Sequence, residues 1–264
     1  MTDKHKKIRT VTLAYFSGTG CTEMVVNCFE KQFTEQGITV NKIKIDSLDP
    51  CEVVKSDLLI VLSPVYAYRL ASIVEKWVSK LPKSENTLAA IISVSGGGEI
   101  SPNTACRVKC RRFLIRKGYD FIYEKMITMP SNFAVPTEQE LIVELINILP
   151  SKVKMIVTDI LSGKKNMTHP KIQDRFIASI GKVEHIGARL FGMSIHASRE
   201  CNQCGLCVKG CPRMNIKMQN GTPRFGFSCI WCLKCIYACP CKALSPRIFK
   251  FAVFKEGFDI NKMR

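Results

Sequence analysis

The sequence predicts two folded parts: an α/β domain with a doubly wound parallel sheet and, after it, a small, cysteine-rich α+β domain. Two observations lead to this prediction. Apolar runs alternate with helical patterns in the first part of the chain, and eight of the 14 cysteines lie within 39 residues in the second. The 264 residues include 46% hydrophobic and 23% charged residues, which are ordinary values for one or two globular domains and exclude a disordered chain.

Five strands are predicted in the first part, the first of them buried, with helices between them. The strands are residues 9–16, 38–45, 57–62, 87–94 and 119–128. The helices are residues 23–35, 72–80 and 103–117. Because strands that alternate with helices form a parallel sheet covered on both faces, this order predicts a doubly wound fold.

Two helical stretches are predicted between the two parts. Residues 137–163 have an apolar helical period on both sides of Pro150, so we expect a kink or two helices there. A polar break at residues 164–170 precedes a second helical pattern, residues 172–191. Its apolar stripe, which we expect to pack between domains rather than bind a membrane surface, is Ile172, Phe176, Ile180, Val183, Ile186 and Leu190. The predicted domains are residues 1–165 and 196–264, with residues 166–195 as a helical connector.

The cysteines of the second part form two copies of one pattern, C-x2-C-x2-C-x3-C-P. The copies are Cys201, Cys204, Cys207 and Cys211 before Pro212, and Cys229, Cys232, Cys235 and Cys239 before Pro240. Cysteines at this spacing can direct three thiolates at one iron–sulfur cluster, and the fourth cysteine of each copy ligates the other cluster. The pattern therefore predicts two 4Fe-4S clusters, one on Cys201, Cys204, Cys207 and Cys239, the other on Cys229, Cys232, Cys235 and Cys211.

Zinc sites and disulfides are the alternatives for these eight cysteines. Zinc is usually bound by well-separated C-x2-C pairs and does not use the third cysteine or the C-P step of each copy. Disulfides belong mainly to secreted proteins. Over residues 196–247 the chain resembles the bacterial two-cluster ferredoxins, and Asn220-Gly221 matches the hairpin of that fold. The second copy departs from the pattern because it lacks the glycine that Gly205 supplies in the first.

The other six cysteines show no such grouping. Cys106 and Cys110 lie four residues apart on a predicted helix, and packing in the core is the favoured interpretation for them. Cys241 follows the second copy directly and is an alternative cluster ligand. The remaining three are Cys21, Cys28 and Cys51.

A loop of glycine and hydroxyl residues connects the first predicted strand to the first helix. Glycines let backbone N–H groups approach an anion, hydroxyls donate hydrogen bonds, and the helix dipole favours negative charge, so this loop is suited to phosphate. The loops after the third and fourth strands reach the same edge of the sheet, where ligands of this fold bind. The candidate residues of the three loops are Ser17, Gly18, Thr19, Gly20, Cys21, Thr22, Pro64, Val65, Tyr66, Tyr68, Ser95, Gly96, Gly97 and Gly98.

With S-x-T-G-x-T in its first loop, the chain resembles the flavodoxins over residues 8–160. The resemblance implies one FMN, with the first loop around the phosphate, Tyr66 or Tyr68 against the isoalloxazine, and the backbone of residues 95–98 near its pyrimidine edge. A flavodoxin-like fold with a degenerate flavin site is the alternative. The third loop lacks an aromatic residue, which leaves the ferredoxin part as a candidate cover for one flavin face.

A flavodoxin-like half followed by a two-cluster ferredoxin half is similar to the flavodoxin–ferredoxin fusion proteins of anaerobic bacteria and archaea. The resemblance covers almost the whole chain, including Met129-Pro130-Ser131-Asn132-Phe133 after the fifth strand. It implies an electron-transfer protein that uses FMN and two 4Fe-4S clusters, and it leaves open whether the protein is an oxidoreductase in its own right. A flavin-dependent reductase of a small acceptor, such as a quinone, is the alternative.

The net charge of +17 is spread unevenly over the chain. Residues 196–264 hold 12 basic and three acidic residues, a net charge of +9. We therefore expect the ferredoxin half to attract an acidic redox protein, such as a ferredoxin or a larger redox enzyme. A nucleic-acid-binding protein is a further class, suggested by Lys109-Cys110-Arg111-Arg112 with Arg107 and Arg116 on one helix. It is less favoured because bound cofactors offset part of the charge and few aromatic residues accompany the basic ones.

No apolar run approaches the ~18 residues that cross a bilayer. Only a six-residue apolar run, residues 11–16, follows the basic start of the chain. A signal peptide needs a longer apolar core, so we expect a soluble, cytoplasmic protein that does not insert into membranes.

Overall fold

The computed structural model describes residues 7–46, 55–180 and 184–263, and a mostly parallel sheet forms the centre of the first part. Its strands are β1 (Thr10–Tyr15), β2 (Thr39–Lys44), β3 (Leu58–Tyr66), β4 (Arg69–Leu70), β5 (Leu88–Ser95) and β6 (Asp120–Thr128). The order across the sheet is β2-β1-β3-β5-β6, all parallel, and the two-residue β4 pairs antiparallel with β3. Without β4 this is the 2-1-3-4-5 order of the flavodoxin-like doubly wound fold, so the predicted fold class is confirmed.

Helices cover both faces of this sheet. They are α1 (Cys21–Glu35), α2 (Ser72–Lys80), α3 (Val108–Arg116) and α4 (Gln139–Leu161). On one face α1 and α4 bury Phe29, Phe33 and Leu149 against the strands, and on the other α2 and α3 bury Trp77 and Leu114. Because alternate strand residues point to opposite faces, each strand contributes to both cores. Within the described ranges no helix has the length and apolarity needed to span a membrane.

The helix α4 does not break at Pro150. We expected a kink or two helices there, and the structure has one continuous helix of 23 residues through the proline. Leu145 and Leu149 before Pro150 and Val153 and Ile156 after it are all buried. Packing of this apolar face on both sides of the proline outweighs the loss of one backbone hydrogen bond, so the expectation of two helices was wrong.

The second connector helix is divided, and its apolar stripe is exposed. The structure has α5 (Ile172–Ile180) and α6 (Glu184–Ser194); Val183 and the side chain of Ile180 lie outside the described residues. The four other stripe residues are exposed, from 45% for Leu190 to 84% for Ile172, so the expectation that the stripe packs between domains was wrong. Other residues hold these helices: the buried carboxylate of Asp174 accepts hydrogen bonds from Ser101 and Thr104, and Phe191 is 1% exposed.

The cysteine-rich part is small and has its own core. Its elements are β7 (Ile195–Ala197), α7 (Leu206–Gly210), β8 (Ile216–Gln219), β9 (Thr222–Phe225), α8 (Lys234–Tyr237) and β10 (Leu244–Pro246). The first strand β7 pairs antiparallel with the last, β10, while β8 and β9 form a hairpin. Asn220 and Gly221 at its tip both have positive φ, as a two-residue type I′ turn requires, so the predicted hairpin is confirmed.

Candidate cofactor sites

The eight cysteines of the two copies surround two small cavities. One cavity is lined by Cys201, Cys204, Cys207 and Cys239. The other is lined by Cys211, Cys229, Cys232 and Cys235. The structure thus brings together the two crossed sets that the spacing pattern assigns to separate clusters. We call them the outer set, which contains the exposed Cys204, and the inner set, which contains the buried Cys232.

The two cysteine loops share a backbone conformation although their sequences differ. Gln203 and Gly205 in the first loop have φ values of 60° and 71°, and the equivalent Trp231 and Leu233 have 61° and 58°. This left-handed conformation favours glycine and costs a residue with a Cβ about 1–2 kcal/mol. The side chain of Leu233 is 3% exposed, and its burial offsets that cost. The second copy therefore keeps the loop geometry without the glycine.

Three thiols of the inner set are shielded from water, which favours their neutral form when no metal is bound. Burial raises the pKa of Cys232 to about 12 and raises the pKa of Cys229 and Cys235. A bound metal ion reverses this effect, because it coordinates the thiolate directly. In addition, the backbone N–H groups of Trp231 and Asn215 donate to the sulfurs of Cys229 at 3.4 Å and Cys211 at 3.3 Å. Buried sulfur ligands with N–H donors fit iron–sulfur clusters.

The remaining cysteines have other surroundings. Cys106, just before α3, and Cys110, within α3, are buried in the core, which confirms the expectation that they pack there. Cys21 is buried and its thiol donates to the carbonyl of Pro130 at 3.6 Å. Cys241 lines neither of the two cysteine cavities, and Cys51 lies outside the described residues.

A cleft of about 480 Å³ lies at the edge of the main sheet where β1, β3 and β5 end. Twelve of the 14 candidate residues from the three loops line it. The other two support the loops: Gly20, with a φ of 102°, lies against Ile260, and Gly98 lies near Thr128. The predicted loops therefore meet at one site.

The loop after β1 lines this site and is shaped to hold an anion. Ser17 Oγ accepts hydrogen bonds from the N–H groups of Gly20 at 3.2 Å and Glu23 at 3.3 Å. Cys21 and Thr22 begin α1, so their N–H groups have no acceptor within the helix and both residues line the cleft. These donors and the positive end of the helix dipole fit a phosphate group.

Gly18 lies where the cleft meets the inner cysteine set. A Cβ at this position would be 2.6 Å from the carbonyl oxygen of Cys232 and 2.8 Å from the hydroxyl oxygen of Tyr66. Both distances are well below van der Waals contact, so only glycine fits. Tyr66 therefore has its hydroxyl beside the first loop, whereas Tyr68 is 41% exposed on the cleft wall.

Several cleft residues were absent from the candidate set. One group is the loop Met129–Phe133 after β6, where the side-chain amide of Asn132 donates to Thr19 Oγ1. Its position at the end of a predicted strand was a signal for this role. The second group is Trp231 and Phe251, which come from the cysteine-rich half and line the cleft. The only sequence signal for these two residues was that the third loop lacks an aromatic residue, which left the ferredoxin part as a candidate cover.

Trp231 is the centre of an aromatic cluster between the two halves. Its ring centroid lies 5.3 Å from those of Phe133 and Phe191 and 5.5 Å from that of Phe249. Its indole N–H is buried and finds no acceptor among the described residues. A ligand in the cleft that offers an acceptor would satisfy this donor. Trp231 also stands between Cys229 and Cys232, so one residue belongs to both sites.

The fold and the cysteine pattern thus define a chain that joins a flavodoxin-like α/β part to a 4Fe-4S dicluster domain. The family model described as a 4Fe-4S dicluster domain matches residues 193–240. No protein of curated function matches the sequence.

Similar solved structures include flavodoxins. A short-chain flavodoxin associated with a PDU bacterial microcompartment is 17% identical and matches 56% of this chain and 97% of its own, with a TM-score of 0.42. A mutant flavodoxin from Pseudomonas aeruginosa is 11% identical. The match covers 60% of this chain and 99% of that flavodoxin, with a TM-score of 0.45. Rubredoxin oxygen:oxidoreductase from Desulfovibrio gigas is 16% identical. The match covers 58% of this chain and 38% of that protein, with a TM-score of 0.37.

Proposed function

We propose that the protein transfers electrons between FMN in the cleft, two 4Fe-4S clusters on the outer and inner cysteine sets, and an external redox protein. The observation that carries this proposal is the contact between Gly18 of the cleft and Cys232 of the inner set. Bound FMN would supply one- or two-electron chemistry, and the clusters one-electron chemistry. Direct contact between the two sites supports exchange within one chain.

Each cleft residue has a role in this proposal. The N–H groups and hydroxyls of residues 17–22 would hold the phosphate of FMN, and the backbone of residues 95–97 would face its pyrimidine edge. Tyr68, Trp231 and Phe251 would cover the ring system and limit access of water to it. The two aromatic residues from the cysteine-rich half supply the cover that the third loop lacks.

A second candidate function is reduction of a small planar acceptor, such as a quinone, at the cleft. Phe133 is 37% and Phe251 62% exposed there, and aromatic walls favour planar molecules. Electron transfer to a protein is preferred because, of the described residues that line the cleft, none is acidic, basic or histidine, which leaves the tyrosine hydroxyls and the Cys21 thiol as its ionisable proton donors. Turnover of a soluble quinone without any protein partner would favour the second candidate.

Binding of nucleic acid has less support. Arg107 is fully buried and pairs with Glu99, and Arg111 Nη1 lies 2.7 Å from Glu124 Oε1. Lys109 is paired with Glu75 at 2.7 Å. Much of the basic run on α3 is thus neutralised within the protein and unavailable to a phosphate backbone.

The Thr19→Asp variant tests the flavin site. Its carboxylate would lie in the phosphate loop, where repulsion in a poorly solvated cradle opposes phosphate binding. We expect protein purified without oxygen to bind FMN in the wild type and to lose it in the variant, while about eight irons and eight sulfides per chain remain in both. Flavin absorbance and iron and sulfide analysis measure the two cofactors separately.

Thr19→Ser is the matched control, because it keeps a hydroxyl that can accept from Asn132. It should retain FMN. Wild-type protein that takes up no FMN at micromolar excess would overturn the flavin part of the proposal, and zinc without labile sulfide would overturn the cluster part.

The partner in this proposal is an acidic redox protein that approaches the outer cysteine set. Residues 196–264 carry a net charge of +9, of which about +5 remains after two clusters are bound. Lys209 and Lys217 are exposed on the same half as the exposed Cys204. Charges of opposite sign raise the encounter rate, and salt screens them over about 8 Å at physiological ionic strength.

Reduction by an acidic ferredoxin should therefore slow steeply as salt rises. Lys209→Glu and Lys217→Glu should slow it at low salt without loss of iron, whereas Lys154→Glu, the same change on α4, should have little effect. Stopped-flow rates at several ionic strengths test this prediction. Rates that do not change with salt would contradict electrostatic docking.

A further inference from the structure

A second large depression lies along α3, away from the cleft. It has a volume of about 550 Å³, comparable with the cleft, and runs between α2, α3 and α5. We call it the α3–α5 groove. None of the 14 candidate cleft residues and none of the eight cysteines of the two copies lines it, so the groove is separate from the sites described above.

The groove is strongly basic. Its lining includes five basic residues and one acidic residue, Glu75. The carboxylate of Glu75 is shared by Arg69 and Lys109, at 2.7 Å from each. In the part of the chain that the structure describes, the side chains of Arg112, Arg116 and Arg175 form no ion pair with a carboxylate. The groove therefore holds an excess of positive charge that folding does not neutralise.

The positions of these arginines suit a compact polyanion. Arg112 and Arg116 are one helical turn apart, so they project from the same side of α3. Arg175 reaches the groove from α5 on the other wall. The neighbouring Asp174 accepts hydrogen bonds from Ser101 Oγ at 2.6 Å and Thr104 Oγ1 at 2.5 Å, which fixes α5 beside α3. Guanidinium groups bind phosphate by paired N–H donors, so groups on two walls can hold adjacent phosphates.

The groove also has an apolar wall with an aromatic ring. Phe113 lines it, and the guanidinium carbon of Arg116 lies 4.9 Å from the centroid of the ring. Ile115, which is 54% exposed, and Val108 extend this wall. A planar ring can pack on such a surface while its charged end reaches the arginines.

We propose that the α3–α5 groove binds a small anion in which a diphosphate is joined to an aromatic ring, as in a nucleoside diphosphate. The concave shape and the ring favour a small molecule over a nucleic-acid backbone. The proposal does not depend on the electron-transfer function, because the groove and the cleft share no lining residue.

Calorimetric titration of the full chain, loaded with its clusters and saturated with FMN, tests the groove with ADP and pyrophosphate as probes. We expect ADP to bind at least about tenfold more tightly than pyrophosphate. Arg112→Glu and Arg175→Glu should each weaken both probes by about tenfold or more. Phe113→Ala should weaken ADP to the level of pyrophosphate and leave pyrophosphate unchanged.

Arg224→Glu, the same charge change at an exposed site on the β8–β9 hairpin, is the control and should bind both probes as the wild type does. Unchanged FMN content and melting temperature show that each variant is folded. Absence of ADP binding up to millimolar concentration would overturn the proposal. So would ADP binding that Arg112→Glu and Arg175→Glu leave unaltered, or a short DNA duplex that binds more tightly than ADP and is lost in the same variants.

Discussion

The Cys232→Ala variant is expected to lose about half of the iron and labile sulfide of the wild-type protein, because it removes one ligand of the inner set. Cys232 lines the inner cavity, is 8% exposed, and packs with the core of the main sheet. Its loop also carries Trp231, which lines the cleft. Loss of the inner cluster should therefore weaken FMN binding as well. Iron and sulfide analysis and a flavin titration measure both effects.

Cys241→Ala is the matched control for this experiment. Cys241 is two residues from the proposed ligand Cys239, but it lines neither cysteine cavity, so its removal should leave iron, sulfide and FMN unchanged. A full complement of iron in Cys232→Ala would contradict the assignment of the inner set. Loss of iron in Cys241→Ala would instead make that residue a ligand, which is the alternative that the sequence left open.

Most of the sheet was predictable because β1, β3, β5 and β6 contain apolar runs, whereas the two-residue β4 has none and was missed. The predicted strands differ from the observed ones mainly at their ends, and β3 continues to Tyr66 through residues that we assigned to a loop. The helix α4 shows where local rules fail. A proline predicts a break, but the buried face of Leu149 and Val153 extends through it, and tertiary packing decides the outcome.

The cleft was only partly predictable for a different reason. Loops that follow consecutive strands meet at one edge by the geometry of the fold, so residues 17–22, 63–68 and 95–98 could be placed together from the sequence. Trp231 and Phe251 follow those loops by more than 100 residues. Their position depends on how the cysteine-rich half docks, and no periodic pattern records that.

The basic residues at α3 show a third way in which a sequence pattern can mislead, because the pattern does not tell which side chains are buried. In the sequence Arg107 and Arg111 belong to a basic run that suggests a surface for anions. In the structure they point inward to Glu99, in the loop after β5, and to Glu124, on β6. Thr168 of the predicted polar break joins them, because its hydroxyl accepts from Arg107 at 2.8 Å and its N–H donates to Glu124 at 2.8 Å.

Arg107→Met should be the most destabilising single substitution in the first part of the chain. Arg107 is fully buried and donates to Ser93 Oγ at 2.6 Å, and its partners Glu99 and Glu124 are 25% and 2% exposed at their side chains. Removal of one member of a buried ion network leaves uncompensated charge and costs about 3–5 kcal/mol. Urea unfolding at neutral pH, followed by circular dichroism, measures the loss.

Lys125→Met is the control, because Lys125 pairs with the same Glu99 at 3.8 Å but is half exposed. Solvent screens that pair, so its loss should cost less than about 1 kcal/mol. Glu99 directly follows the 95–98 loop of the cleft, so Arg107→Met should also lower the affinity for FMN, whereas Lys125→Met should not. Equal losses of stability in the two variants would mean that water reaches Glu124 and that the network is not the closed, buried unit that its burial indicates.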